Sequence, residues 1–358
     1  MKKRINPKMV ILARESRGLS QSDLANKLDV HQGTLSRIEN GEAIANDLLN
    51  KMVSVLQYPR EFFFEKAEMY PPGINYYRKH KTIPKKELDR IAAQIDIQRI
   101  HIQKLLYSAD IYRDYDFEIE EYESPEEAAN KTREYWKIPN GPVEDLTSCI
   151  EGAGILIVSR DFDTYKYSAV TKYTEKLQYI VFINSNIPSD RFRFTLAHEL
   201  GHIILHRIST PEAEKEANAF ASALLMPEKD IKRYLFNLNL QKLASLKAYW
   251  KVSMGAIIER AYALQTITDR QRRYLWTQMA KLGYKRREPP ELDFPIEKPS
   301  LLYDLIKLHS DKLDYSEAEL CKLLCLWSDE FKELYNHKNL TNSKVELKID
   351  KPKLKIVS

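Results

Sequence analysis

Over the first 66 residues, apolar positions recur at helical spacing in short blocks separated by polar corners. Met9, Leu12 and Ala13 form one stripe within residues 8–16, and Gly18 ends it. Ser20, with Asp23 three positions on, caps a second helix that buries Leu24, Ala25 and Leu28. Asp29 and Val30 make a tight corner, and residues 31–40 form a third helix with Leu35 and Ile38 inward and Gly41 as its stop. Further helices are predicted at 45–56 and 59–66. The stretch 70–86 holds PPG, the basic cluster Tyr77-Arg78-Lys79-His80-Lys81 and Pro84, so it reads as a connector. Residues 88–109 are a long amphipathic helix, with Ile91, Ile95, Leu105 and Leu106 on its stripe, and 125–136 predict another.

After Val143 the period changes. GILIVS (154–159) and LQYIVFIN (177–184) read as strands, with a third between them at 165–170. Helices return at 190–207 and 211–226 and fill 228–282. The Pro- and Glu-rich stretch 288–299 predicts a linker, 301–335 a small helical appendage, and the lysine-rich end 336–358 an edge strand or tail. The resulting class is a multidomain protein, mainly α with a small β-sheet: an all-α N-terminal domain and an α+β domain. The corresponding division is 1–68, a connector with a long helix at 69–124, a second domain at 125–288 and an extension at 289–358.

Composition narrows the setting. The chain has 358 residues, with 43% hydrophobic and 30% charged, which suits ordinary soluble cores. No apolar run approaches the roughly 20 residues of a membrane span, and the start lacks a signal-peptide pattern. The three cysteines, Cys149, Cys321 and Cys325, cannot form a disulfide framework. A cytoplasmic protein with buried thiols and no membrane partner is expected. The formal charge of +5 does not by itself indicate a nucleic-acid partner.

The sharpest chemical signal is His198-Glu199-Leu200-Gly201-His202, inside the helical run FTLAHELGHIILHR. Residues i and i+4 share a helix face, so both imidazoles can reach one ion with Glu199 beside it. Two histidines and a carboxylate suit Zn2+ with one position open for water, and Glu199 is then the catalytic residue that takes and returns the proton. A glutamate at the centre of so apolar a helix is costly unless paired or near a metal. The third ligand is sought in the next helix, PEAEKEANAFASALLMP. Glu214 shares a face with the small Ala217 and Ala221, while Glu216 is the runner-up and Glu212 a weaker choice. Asn218 and His206 are placed behind the ligands, as partners of the metal-binding histidines. The strand at 177–184 is a candidate edge for pairing with substrate backbone.

These residues carry a resemblance. HELGHIILHR followed by EKEANAFASALLMP resembles the ImmA/IrrE family of bacterial zinc metallopeptidases. The resemblance implies a gluzin-like site with ligands at His198, His202 and Glu214 and the catalytic glutamate at Glu199. It also implies cleavage of a repressor or antitoxin-like protein. The stretch ARESRGLSQSDLANKLDVHQGTLSRIENG resembles the helix-turn-helix domain of XRE-family, phage-repressor-like regulators. That implies a double-stranded DNA operator and, through paired half-sites, a homodimer. Gln32, Thr34 and Arg37 then face bases or phosphate, while Gln21, Ser36 and Arg17 are phosphate candidates. Residues 1–66 hold 11 Lys or Arg against 8 Asp or Glu, so charge alone does not make the case. The 88–109 helix serves either dimerisation or the core between domains. Two readings follow: a DNA-binding regulator with a zinc endopeptidase, or one whose peptidase-like domain is a non-catalytic zinc-binding, sensory or protein-interaction module.

Overall fold

The computed structural model describes residues 2–65, 83–109, 122–174, 178–206 and 210–335. Local capping sets the N-terminal helices. β1 (Lys2–Lys3) is followed by α1 (Pro7–Ser16), capped by the Asn6 side chain, and by α2 (Gln21–Leu28), where Ser20 and Asp23 form a reciprocal capping box. The corner after α2 is tight because Asp29 adopts the left-handed conformation, at φ 58°. α3 (Gln32–Glu39), β2 (Ile44–Ala45) and α4 (Asn46–Leu56) follow, and β2 pairs antiparallel with β1. The predicted helix at 59–66 is instead a 3-10 turn, Arg60–Phe64, which buries Phe62 and Phe63. Leu24, Leu28, Leu35, Leu49 and Met52 centre this core.

α5 (Lys85–Ser108) is the spine of the molecule. Ala93, Ile97 and Ile100 enter the N-terminal core, while Ile91, Ile95, Ile102, Leu105 and Leu106 enter a second one. With those stripes covered, the helix serves the core between the units, the second of the two roles expected for it.

α6 (Pro125–Tyr135) and α7 (Leu146–Gly152) lead into a three-stranded sheet of β3 (Leu156–Arg160), β4 (Ala169–Thr174) and β5 (Gln178–Asn184). The sheet order is β3-β5-β4, with β3 parallel and β4 antiparallel to β5. This corrects two expectations. The middle strand in sequence lies at 169–174, and the strand expected to offer a free edge is the central one. Alternation sends Ile157, Val181 and Ile183 to one face and Leu156, Val158, Ile180 and Phe182 to the other.

On the first face lie α8 (Ser189–Leu205) and α9 (Ala213–Leu225), the most extensively packed helix pair. Beyond them come α10 (Glu228–Ile231), α11 (Leu240–Trp250), α12 (Met254–Ala263) and α13 (Asp269–Lys281). The stretch expected to be a linker is anchored at both ends. Glu288 reaches the buried Lys247, which also binds Asp190, and Glu297 pairs with the buried Arg193. The outer face of the sheet is covered by α5 with α14 (Leu301–Lys312), α15 (Glu317–Leu324) and α16 (Ser328–Tyr335). The segment expected to be an appendage therefore helps build a core. Cys321 and Cys325 are buried thiols. Among the described residues no helix is long and apolar enough to cross a membrane. The basic cluster at 77–81 and the end at 336–358 lie outside the described residues.

Candidate metal centre and helix-turn-helix face

α8 runs through the inner core, with Leu196, Leu200 and Ile203 holding it in place. Its buried polar side is formed by His198, Glu199 and His202. α9 approaches closely because Gly201 has no side chain: a Cβ there would lie 3.1 Å from Ala217 Cα and 3.1 Å from Phe220 Cδ1. That approach brings Glu214, in the first turn of α9, against the two histidines.

His198 Nε2 and His202 Nε2 are 3.1 Å apart. The Glu214 carboxylate lies 3.4 Å from His202 Nε2 and 3.7 Å from His198 Nε2. Ligands about 2.0–2.1 Å from a tetrahedral ion are about 3.3 Å from one another, so these separations fit a tetrahedral face. The tautomers fit as well. Asn218 Oδ1 lies 3.1 Å from His198 Nδ1, and as a carbonyl oxygen it accepts, so the ring proton sits on Nδ1. Glu216 lies 2.9 Å from His206 Nε2 and accepts from it, which leaves His206 Nδ1 to accept from His202 Nδ1 at 3.2 Å. Both Nε2 lone pairs then face the same point. A cation at that point relieves their repulsion.

Glu199 is buried beside this cluster, and the Thr171 hydroxyl on β4 donates to it at 2.7 Å. The Thr171 backbone amide also donates. Burial pushes the Glu199 carboxyl up to about 7; Thr171 acts against that rise and Glu214 with it. Burial also lowers the His202 pKa. The Glu214 side chain is 40% exposed, so the cluster opens to solvent on the α9 side. Among the sequence candidates, His198, His202 and Glu214 come together, and Glu216 stands one step away on His206. His206, expected behind the ligands, makes the intervening contact. Thr171 was not anticipated, since nothing in the chain pattern links it to Glu199.

In the N-terminal unit, Gln32 and Arg37 are exposed on α3, and Thr34 and Ser36 are half-buried there. Gln32 Nε2 donates to Gln21 Oε1 at 2.8 Å, and Gln21 Nε2 donates to Glu39 at 2.7 Å. Glu39 is itself held by the buried Arg14 at 2.6 Å. This chain of contacts fixes the start of α3 relative to α2. Arg17 points the other way. It donates to the Leu56 carbonyl and pairs with Glu330 of α16, which removes it from the set of phosphate candidates.

Comparison with known proteins agrees with both units. Residues 150–262 match the IrrE N-terminal-like domain of the M78 peptidases. Residues 10–63 match the helix-turn-helix family. A stretch of 75 residues is 40% identical to uncharacterized immunity region protein 2 of Bacillus phage phi105. It takes in 18% of this chain, and the chain spans about half (47%) of that relative. The chain thus joins an IrrE-like, peptidase-family domain with a His-His-Glu cluster to an N-terminal helix-turn-helix domain.

Proposed function

We propose that this protein is a DNA-binding transcription regulator whose IrrE-like domain is a zinc-dependent endopeptidase acting on a repressor or antitoxin-like protein. The observation that carries the reading is the convergence of His198, His202 and Glu214 within 4.8 Å of one another, with the Glu199 carboxylate alongside.

The donor set, two imidazole nitrogens and a carboxylate on a solvent-facing side, suits Zn2+ with a place left for water. Zinc held there would acidify a water and polarise a scissile carbonyl. The remaining work falls to the chain. Asn218 and the Glu216–His206 pair orient the two ligating rings and keep their protons away from the metal side. Glu199 takes the proton of the attacking water and delivers it to the leaving amine. Thr171 holds that carboxylate from β4, so the base does not have to be ordered at the moment of reaction. β4 borders the sheet on the side of the cluster, and an extended substrate segment laid along it would pass Glu199. In the N-terminal domain, α3 enters the major groove with Gln32, Thr34 and Arg37 toward the bases, Gln21 and Ser36 toward phosphate, as a homodimer on paired half-sites.

The test is to incubate zinc-loaded protein and its Glu199→Gln variant with lysate and to sequence new N-termini. Products present with the parent and absent with the variant support the peptidase. Equal zinc content with no difference in products would assign the domain to sensing or protein interaction instead.

A further inference from the structure

A cleft of about 300 Å3, counting its open mouth, lies where five parts of the chain meet. The end of α1 brings Arg17, the segment after α4 brings Tyr58, and α5 brings Gln98 and His101. The end of β3 brings Arg160, and α16 brings Glu330. It lies on the outer face of the sheet, away from the histidine cluster.

Charge within the cleft is unbalanced. Arg17 pairs with both carboxylate oxygens of Glu330, at 3.0 and 3.2 Å, and it also donates to the carbonyls of Leu56 and Gln57. Those two groups neutralise each other. Arg160 is different: among the described residues its guanidinium makes one long side-chain contact, 3.4 Å to Gln98 Oε1. Four of its five donor hydrogens are left for something else.

His101 supplies an independent sign. It is 1% exposed, and among the described residues its Nε2 has no hydrogen-bond partner. Its Nδ1 lies 3.0 Å from the Tyr335 hydroxyl. Among the described residues the Tyr335 hydroxyl has no other acceptor at hydrogen-bond distance, so its proton points to His101 Nδ1 and the ring proton sits on Nε2. Burial keeps this ring neutral, with its pKa drawn down to about 3. The cleft therefore presents one buried N–H and one guanidinium with most of its donors free; Glu330 is bound by Arg17, and Glu330 and Glu333 act on Arg160 only through space. A buried donor without an acceptor is costly, and an anion satisfies both groups together.

We propose that this cleft is a binding site for a small oxyanion, a phosphate or a short carboxylate, held by Arg160 and His101. The size excludes a nucleotide, since the 300 Å3 includes the open mouth and the enclosed space is only about 20 Å3, room for an ion of a few atoms. Because the lining comes from the helix-turn-helix unit, α5, the sheet and α16, an occupant ties the DNA-binding unit to the IrrE-like domain. The ligand is an effector and plays no part in peptide chemistry.

The test is calorimetric titration of the intact protein with inorganic phosphate and, separately, acetate, with sodium chloride holding ionic strength. One site of saturable binding for at least one of the two is expected. Arg160→Gln, chosen because Arg160 is only half-buried and tolerates replacement, weakens binding by about tenfold or more, as expected for loss of a charge-assisted pair. Arg160→Lys restores part of the affinity, and His101→Phe loses several-fold while keeping the ring volume. Circular dichroism establishes that each variant folds. No saturable heat with either anion leaves an ordered water as the occupant and overturns the proposal. Heat unchanged in Arg160→Gln overturns it too, because the anion is then bound elsewhere.

Discussion

Replacing Gly201 by alanine tests how the candidate metal centre is assembled. A Cβ at this position would stand 3.1 Å from Ala217 Cα, 3.2 Å from Ala217 O and 3.1 Å from Phe220 Cδ1. Two of those atoms are backbone and cannot rotate away, so α9 must retreat by a few tenths of an ångström. Alanine favours the helix over glycine by about 1 kcal/mol, whereas overpacking of this kind costs about 1–3 kcal/mol. The net is a loss of roughly 0–2 kcal/mol, or a fall of up to several degrees in Tm for a chain of this size. Zinc affinity should suffer more than stability. Glu214 sits one turn before Ala217, at 3.4 and 3.7 Å from the two histidine nitrogens, and moves with the helix. A loss of about tenfold is expected, comparable to the loss of an outer partner. Thermal unfolding of the metal-free protein and zinc competition against a chromophoric chelator measure the two effects separately. A variant more stable than its parent, with unchanged zinc affinity, would refute the close-approach reasoning.

Glu214→Ala should abolish tight zinc binding in the same competition assay, whereas Glu216→Gln should weaken it by about 10–100-fold by loosening His206 and His202. The reverse order of effects would exchange their roles. In the N-terminal domain, Glu39→Ala leaves the buried Arg14 guanidinium with only the half-exposed Glu15 and the Leu19 carbonyl and should cost about 1–3 kcal/mol, read as a lower melting temperature of the helix-turn-helix unit. An effect near zero would mean that water reaches Arg14. Burial pushes the Glu151 carboxyl up to about 8, against three hydrogen bonds from the start of α14. A raised carboxylate pKa means that the folded state holds the proton more tightly than the unfolded one. Stability from this group is therefore present below about 4.5 and is lost as pH rises toward about 8. Tm compared across that window should fall in the parent and flatten in Glu151→Gln; equal slopes would count against the assignment.

What the chain pattern revealed and what it hid follow from the range of the interactions. Capping at Ser20, the corner at Asp29 and the i, i+4 spacing of His198 and His202 are settled within a few residues, and they are legible in the sequence. The two sides of α9 were separable as well, because Ala217 and Ala221 mark the side that can approach α8. Strand order was not. A strand's neighbours are set by distant segments, although the unbroken apolar run Tyr179–Ile183 was a sign that β5 is covered on both faces and hence central. Thr171 was silent for a related reason: its tie to Glu199 spans 28 residues and depends on register against Val181. The Glu288 and Glu297 contacts were missed because Pro and Glu content reads as a linker unless the buried cations that receive it are known.

The arrangement of cores has a consequence for how the two functional ends can influence each other. A three-stranded sheet cannot bury itself, so each of its faces needs a cover. α8 covers one and brings the histidine cluster; α5 with α14, α15 and α16 covers the other, and the remaining stripe of α5 carries the helix-turn-helix unit. The metal centre and the DNA-binding unit therefore stand on opposite sides of one thin wall. β4 joins polar groups on both sides through adjacent residues: Thr171 faces Glu199, and Lys172, on the reverse, pairs with Asp96 of α5 at 3.2 Å. A change at Glu199 large enough to shift β4 is felt at α5 through that pair, with no contact between α8 and the N-terminal helices. The same wall also separates the Arg160 cleft from the histidines, so an effector bound there acts on the seating of α1 and α16 against α5 while leaving the ligand geometry intact. Coupling between DNA binding and the metal centre thus has to pass through the sheet or through α5.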